Sequence, residues 1–228
     1  MNLTNSSRVT TKRRAISRVG KRATTEVVSD SEASRRGRQL FYGIDRRKNF
    51  RQAFPFLLQA ANAGYLHSQN LVGYSYAEGL GVKKNHKLAL YWFRMAAEGK
   101  HREAPFNVGL AYEFGRGTRI DLRKAARYYE MAARMGNPAA QCNLGVAYLE
   151  GRGVKRNEQR GIYWLRRAAR NGDASAQYDL GEAYSKGEIV SMNLRRAKNW
   201  LERSVKGGHK QASSALKRVE EQISRKSQ

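Results

Sequence analysis

Cysteine is almost absent from this sequence of 228 residues, in which Cys142 is the only one. A single cysteine excludes an intrachain disulfide, and it excludes a zinc site built from several thiolates. Such low cysteine usage suits a reducing compartment. We interpret Cys142 as a small residue at a packing interface rather than as a reactive thiol.

Long apolar runs are absent as well. No stretch approaches the roughly 20 consecutive apolar residues of a membrane-spanning helix, so we expect no membrane span. The first residues also lack the apolar core of a secretory signal, and no acidic residue precedes Glu26. This Arg-, Ser- and Thr-rich composition fits an organellar transit peptide, although we interpret residues 1–34 as a basic disordered N-terminal tail.

Acidic residues are scarce. The chain has 19 Asp and Glu against 44 Lys and Arg, which gives a formal net charge of +25. Such an excess favours a polyanionic partner: nucleic acid, an anionic membrane surface or an acidic protein. A solvated surface without a specific partner is the alternative, because a high net charge also keeps a protein soluble.

Recognisable catalytic patterns are missing too. None of the four histidines shows a His-x-x-x-His spacing or a paired acidic residue that would indicate a metal site. There is no Gly-x-x-x-x-Gly-Lys-Ser/Thr loop for a phosphate, and no nucleophile stands beside a base. We therefore predict that the protein is not an enzyme and has no catalytic residue, metal or cofactor.

What the sequence does contain is a repeat of 36 residues. Three series carry the period: Gly73, Gly109, Gly145 and Gly181; Tyr76, Tyr112, Tyr148 and Tyr184; and Trp92, Tyr128, Trp164 and Trp200. A fixed period of this length indicates a solenoid, which stacks one supersecondary unit many times. Solenoids usually bind other molecules along a curved surface rather than catalyse reactions.

Each repeat is predicted to contain two helices, A and B, joined by a glycine loop. The A helix has apolar residues at i, i+4, i+7 and i+8, which lie on one face of a helix. The B helix opens at a position that holds Asn or Asp, and such a side chain caps the first turn. Five residues occupy it: Asn49, Asn85, Asp121, Asn157 and Asn193. We predict that B-helix aromatics and paired alanines fill the core, and that the A-helix glycines let the two helices approach closely.

The repeat register also predicts the domain boundaries. A basic tail at 1–34 precedes a solenoid at 35–222, and a short tail follows at 223–228. The solenoid is divided into five repeats and a capping helix, at 35–66, 67–101, 102–137, 138–173, 174–209 and 210–222. In the capping helix Ala212 and Leu216 take core positions, whereas Lys217 and Glu220 replace the usual glycine and tyrosine. A polar outer face is expected of a terminal repeat.

The segment AAQCNLGVAYLEGRGVKRNEQRGIYWLRRAARNG at 139–172 resembles the Sel1-like repeat. Its pattern is Ala-x-x-x-Leu-Gly-x-x-Tyr-x-x-Gly-x-Gly-Val, a spacer, then Ala-x-x-Trp and Ala-Ala-x-x-Gly. The resemblance covers residues 35–216, with departures such as Lys100 in place of a glycine. It implies an all-α, tetratricopeptide-like fold: a right-handed α/α superhelix of about five helix-turn-helix repeats with a C-terminal capping helix. It also implies a role in protein–protein interaction, with the A helices lining the concave face.

On that face, two sets of side chains are candidates for partner binding. One A-helix position holds Asn107, Asn143 and Asp179, and stacked Asn side chains can pair with the backbone of an extended peptide. The alternative is that these side chains bond a neighbouring repeat. Exposed A-helix positions hold aromatic rings, which are typical interface anchors unless they contact adjacent repeats. The rings are Tyr74, Phe106, Phe114 and Tyr178.

Basic residues concentrate instead on the B helices and their loops, and they predict a basic convex surface. Such a surface can follow phosphates without reading sequence, although no recognised nucleic-acid motif accompanies it. A solvated face is the alternative. The residues are Arg123, Lys124, Arg127, Arg166, Arg167, Arg170, Arg195, Arg196, Lys198 and Arg203.

We therefore expect a non-enzymatic interaction scaffold or adaptor that binds another protein or an extended peptide on its concave face. The alternative is a nucleic-acid or ribonucleoprotein-associated accessory protein that uses its basic surface and N-terminal arm. We expect a cytoplasmic monomer. Organellar import, or secretion as an effector through the basic N-terminal segment, is the alternative for its location.

Overall fold

The computed structural model describes residues 31–44 and 47–226, and all regular structure in these ranges is helical. The predicted N-terminal tail therefore lies outside the described residues up to position 30. The described part forms eleven helices. They are α1 (Glu32–Tyr42), α2 (Phe50–Asn62), α3 (Leu66–Glu78), α4 (His86–Glu98), α5 (Ala104–Phe114), α6 (Leu122–Arg134), α7 (Pro138–Glu150), α8 (Glu158–Arg170), α9 (Ala174–Lys186), α10 (Leu194–Lys206) and α11 (Ala212–Lys226).

The helices stack in chain order, each against the next, and the predicted all-α solenoid is confirmed. Odd-numbered helices are the A helices and even-numbered helices are the B helices. Helices that are two apart also meet where α1 contacts α3 and where α9 contacts α11. None of the helices in the described ranges is long and apolar enough to cross a membrane.

The predicted Asn and Asp caps start all five B helices. In each, the side-chain oxygen accepts a hydrogen bond from a backbone N–H of the first turn, which otherwise has no partner in the helix. The donor–acceptor distances run from 2.9 to 3.1 Å. This confirms that one short side chain, repeated every 36 residues, fixes where each B helix begins.

The A-helix glycines do permit close packing. A Cβ added to Gly145 would lie 2.8 Å from Cγ of Leu165 and 3.1 Å from the carbonyl oxygen of Gly161 on the facing B helix. At Gly73 it would lie 2.6 Å from the ring of Phe93. No side chain fits there without moving its neighbour, so the predicted approach of helices A and B is confirmed.

Lys100 occupies a backbone conformation that the other repeats give to glycine. Its φ is 66°, and it is the one residue other than glycine with a positive φ among the residues described. Gly64, Gly136 and Gly172 take the same position in other repeats, with φ of 93°, 85° and 89°. A left-handed conformation costs a residue with a Cβ roughly 1–2 kcal/mol, so the second repeat ends in a strained turn.

The core follows the predicted alanines, but the aromatic prediction needs correction. Ala96, Ala132 and Ala168 are fully buried. Trp164 and Trp200, however, are only partly buried, whereas the residues after them, Leu165 and Leu201, are fully buried. In the later repeats the buried stripe of helix B therefore runs one residue after the aromatic series and the rings lie at its edge, whereas Trp92 is buried as predicted.

A buried glutamine, which was not predicted from the sequence, joins successive repeats. Gln141 in α7 donates from Nε2 to the carbonyl of Ala133 in α6 over 3.0 Å. Gln177 makes the same bond to Ala169 over 3.0 Å, and Gln69 makes it to Ala61 over 3.2 Å. The signal was present as Gln69, Gln141 and Gln177, spaced in multiples of 36.

Both ends of the solenoid differ in detail from the prediction. Helix α1 begins at Glu32 with Ser31 as its cap, three residues before the predicted boundary at 35. Helix α11 runs to Lys226, beyond the predicted end at 222, because its apolar stripe continues. Ala212, Ala215 and Val219 are buried, whereas Leu216 is only partly buried and sits at the edge of that stripe.

Candidate interaction surfaces

Charge is divided between the two sets of helices. Helices α3, α5, α7 and α9 carry a single basic side chain, Lys186, and these acidic ones: Glu78, Glu113, Glu150, Asp179 and Glu182. Helices α4, α6, α8 and α10 hold all ten predicted basic-surface residues and four acidic ones, Glu98, Glu130, Glu158 and Glu202, so the division lies mainly in the basic residues. We call the exposed sides of the odd-numbered and even-numbered helices the A-helix face and the B-helix face. The concentration of basic residues on the B helices was predicted; the acidic character of the A-helix face was not.

The asparagine position contacts neighbouring repeats. Asn107 donates from Nδ2 to Oδ1 of Asn70 over 3.0 Å, and the Asn143 side chain is hydrogen-bonded to the hydroxyl of Tyr129. Both contacts correspond to the alternative interpretation. An amide group has two donor hydrogens and two acceptor sites, so one such bond leaves capacity for a partner.

Asp179 occupies the same position in the next repeat, in different surroundings. Burial and the nearby carboxylates Asp173, Glu150 and Glu182 raise the pKa of Asp179 to about 6. Each of these causes disfavours the charged form. The side chain is therefore a partly protonated acid near neutral pH, whereas its counterparts are neutral amides.

A polar network beside Asn143, centred on Glu113, was not predicted from the sequence. The Tyr129 hydroxyl donates to one carboxylate oxygen of Glu113, and Arg152 donates to the other. Burial, followed by the Glu113 carboxylate, raises the pKa of Tyr129 above its usual value. Glu113 sits where other repeats have Ala77, Leu149 and Ser185, and this charged residue in an uncharged series was the available signal.

The four aromatic candidates divide into two pairs. Tyr74 is 45% exposed and Phe114 is 56% exposed, with the guanidinium of Arg116 5.2 Å from the centre of the Phe114 ring. Phe106 instead packs against Tyr129, at 5.8 Å between ring centres. Tyr178 stacks on His209 at 4.4 Å. Only Tyr74 and Phe114 present open ring surface, and the other two rings pack within their own repeats.

A small groove lies between α3 and α5, beside the exposed Tyr74 ring. Its volume is about 100 Å³. Tyr74, Asn107 and Leu110 form its walls, and Leu90 and Phe93 line it from α4. The groove combines the Asn107 amide with apolar surface, and Glu78, His86 and Arg116 add charged and polar groups to its lining.

Two histidines form a chain near the start of the A-helix face. Nδ1 of His67 lies 3.3 Å from Nε2 of His101, and Nε2 of His67 lies 3.2 Å from the hydroxyl of Tyr42. Burial, and then the neighbouring His67, lower the pKa of His101. Within the described residues, no group of three or more His, Cys, Asp or Glu side chains has a metal-binding arrangement.

Most of the predicted basic residues contact other side chains of the protein. Lys124 and Arg196 lie over the repeat tyrosines Tyr112 and Tyr184, at 5.3 and 5.7 Å from the ring centres. The remaining contacts join Arg167 and Trp164, Arg203 and Trp200, Arg166 and the Tyr184 hydroxyl, and Lys198 and Glu220. These cations therefore have a packing role, which was not predicted from the sequence.

Four of the predicted basic residues are left exposed. In the described part of the chain, no ion pair, hydrogen bond or ring contact holds the side chains of Arg123, Arg127, Arg170 and Arg195. Their charge points to solvent on the B-helix face. Among the predicted basic residues, they are the ones whose side-chain donors are all available to a polyanion.

These features define the class of protein as an α-solenoid built from helix-turn-helix repeats. The chain belongs to the Sel1 repeat family, whose model matches residues 35–65, 66–101, 103–137, 138–173 and 174–209. Proteins with these repeats generally mediate protein–protein interactions. The family resemblance that the sequence predicted is thus confirmed.

Solved structures show the same architecture. A Sel1 repeat protein from Oxalobacter formigenes is 32% identical over 81% of this chain and 73% of its own, with a TM-score of 0.75. The protective antigen c5321 of uropathogenic Escherichia coli, which has an SLR fold, is 28% identical, with a TM-score of 0.74. That match covers 82% of this chain and 40% of the antigen. No curated protein matches the chain at a significant level.

Proposed function

We propose that the protein is a non-enzymatic scaffold that binds a partner protein through its A-helix face, and that this face is concave. In a curved stack of helices, the helices on the inner side approach one another most closely. The contacts of α1 with α3 and of α9 with α11 support this geometry, as does the 3.0 Å bond between Asn107 and Asn70. The single, buried Cys142 is compatible with a reducing compartment such as the cytoplasm.

The groove beside Tyr74 carries the proposal. Exposed rings are frequent anchors of protein interfaces because they bury a large area at a low entropic cost. Tyr74 and Phe114 provide two such rings on one face, and Asn107 contributes an amide to the groove beside Tyr74. An extended peptide would set apolar side chains against the rings and its backbone against the amide.

The test is affinity purification from nuclease-treated extract with the Tyr74→Ala/Phe114→Ala variant. Loss of two anchor rings should weaken specific partners at least tenfold, since hot-spot residues contribute more than about 1.4 kcal/mol each. The matched control is Tyr91→Ala/Met131→Ala, which removes exposed apolar surface from the B-helix face. If both variants keep the same partners, the A-helix groove is not the binding site. Asn107→Ala/Asn143→Ala then reports the contribution of the amides.

A second candidate function is binding of nucleic acid, and the charge division favours it. Arg123, Arg127, Arg170 and Arg195 face solvent on helices in which Lys and Arg outnumber Asp and Glu. Contacts to phosphates release counterions and depend steeply on salt. The two candidates use opposite faces, so one protein can perform both.

A further inference from the structure

Helix α8 and the loop at Ile189 enclose an open groove on the B-helix face, with a volume of about 830 Å³. Ile162, Ile189 and Val190 give it an apolar floor. Its rim is polar and aromatic, and is formed by Glu158, Gln159, Tyr163, Arg166, Arg167, Arg170 and Asn171. The groove thus combines an apolar floor with three arginines, an arrangement that suits a ligand that is both flat and anionic.

The ring of Tyr163 stands in this groove exposed and yet held in place. It is 53% exposed. Arg167 donates to its hydroxyl over 3.1 Å, and the ring meets Trp164 edge-on at 5.1 Å between centres. A flat exposed surface of fixed orientation is what base stacking requires, because little entropy is lost when the base binds.

The charge of the groove is positive on balance. The carboxylate of Glu158 is paired with Arg156 at 2.7 Å, so its charge is already compensated. Arg170 has no partner among the described residues, and Arg167 uses one of its five N–H donors on Tyr163. Both arginines therefore have donors for phosphate oxygens.

We propose that this groove binds a nucleotide of a single-stranded nucleic acid, with the base on Tyr163 and the phosphates on Arg167 and Arg170. The inference rests on the second candidate function, nucleic-acid binding, and assigns it a site. A single strand is required because paired bases in a duplex do not present their faces to a side chain. A purely acidic protein would leave the exposed ring without a role.

The repeat supplies an internal control. Tyr91 is the equivalent of Tyr163 two repeats earlier, it is 39% exposed, and it meets Trp92 edge-on at 5.3 Å. The equivalents of Arg166, Arg167 and Arg170 there are Arg94, Met95 and Glu98. The same ring thus occurs without the cationic groove, so it should not bind a nucleotide.

The experiment measures binding of a fluorescein-labelled oligouridylate to the full-length protein by fluorescence anisotropy over a range of salt concentrations. Tyr163→Ala should weaken binding about 5- to 100-fold, the range for loss of one stacked base. Tyr91→Ala should leave it unchanged, and Tyr163→Phe should retain it.

Arg170→Ala should reduce the slope of log affinity against log salt by about 0.7. The control Arg134→Ala should not, because Arg134 is paired with Glu130 at 2.7 Å. Ultraviolet crosslinking should label the tryptic peptide 161–166, which contains Tyr163.

The possible failures are distinct. If Tyr163→Ala binds as tightly as the unaltered protein, while both bind the oligouridylate, nucleic-acid binding stands and the groove is not its site. If no binding occurs at about 50 mM salt, where phosphate contacts are strong, the second candidate function itself is wrong. Equal binding of duplex RNA or of polyglutamate would reduce the site to a general cationic surface. Saturation by free uridine monophosphate without binding of the oligomer would make it a mononucleotide site. Either result overturns the proposal.

Discussion

Asp179 replaces the asparagine found at the same position in the two preceding repeats, and this replacement lowers the stability of the folded protein near neutral pH. The equivalent residues Asn107 and Asn143 form neutral hydrogen bonds, whereas Asp179 lies among Asp173, Glu150 and Glu182. Its folded-state pKa of about 6 lies above the value of about 3.9 in an unfolded chain. The folded state thus binds this proton more tightly, and the associated stability is lost as the pH rises from about 4 to about 6.

We predict that Asp179→Asn raises the free energy of unfolding by about 2 kcal/mol at pH 8. A pKa shift of one unit corresponds to about 1.36 kcal/mol, and the partial exposure of the side chain reduces the full value. The gain should shrink toward pH 4, where Asp179 is protonated. Urea unfolding at the two pH values measures it. Asp121→Asn is the control, because hydrogen bonds from Lys124 lower the pKa of Asp121. That variant should not be stabilised, and an equal gain in both would contradict the explanation.

At the scale of the element, each repeat is joined to the next by more than apolar contact. Fully buried Gln141 donates to the carbonyl of Ala133 and accepts from Asn171 over 2.9 Å, so one side chain joins α7 to the ends of both α6 and α8. Gln69 makes only the first bond, and its Oε1 has no partner among the described residues. The glycine at position 99 in place of asparagine explains the difference.

Gln141→Met is predicted to lower the free energy of unfolding by about 1–3 kcal/mol, because it leaves buried polar groups without a partner. Gln69→Met should cost less, since it also removes an oxygen that is already unsatisfied. Chemical denaturation measures the free energy of unfolding of the two variants. Gln159→Met, a change at an exposed position, is the reference. Equal losses at the two buried sites would show that Asn171 contributes nothing.

At the scale of the whole molecule, the stabilising contacts and the charged side chains are both arranged along the axis of the helix stack. Each helix packs mainly on its neighbours, so the ends are the weak points of the stack. Helix α11 covers the last repeat by burying Ala215 and Val219 against Leu201 and Tyr184. The charge division holds for the middle of the stack, where α3, α5, α7 and α9 are acidic on balance, whereas the terminal helices α1 and α11 carry more Lys and Arg than Asp and Glu.

Val219→Asp should therefore open the C-terminal end first. A buried charge without a partner costs several kcal/mol. Hydrogen exchange should accelerate in α9, α10 and α11, while the amides of α3 to α6 stay protected. Exposed Lys217→Asp, on the same helix, is the control. Uniform acceleration along the chain would show a single cooperative unit in place of a terminal opening.

The sequence alone determined the repeat, the family, the capping residues and the close approach at the A-helix glycines. Each of these depends on one residue type at a fixed spacing, and local backbone chemistry gives such a residue one role. It also located the basic residues on the B helices.

Only the tertiary structure decided which of these side chains remain open to a partner. Lys124, Arg196 and Arg203 lie against rings, whereas Arg170 does not. Phe106 packs on Tyr129, whereas Tyr74 faces solvent. Such contacts join residues of different helices, and they depend on side-chain direction across the stack, which a 36-residue spacing does not specify.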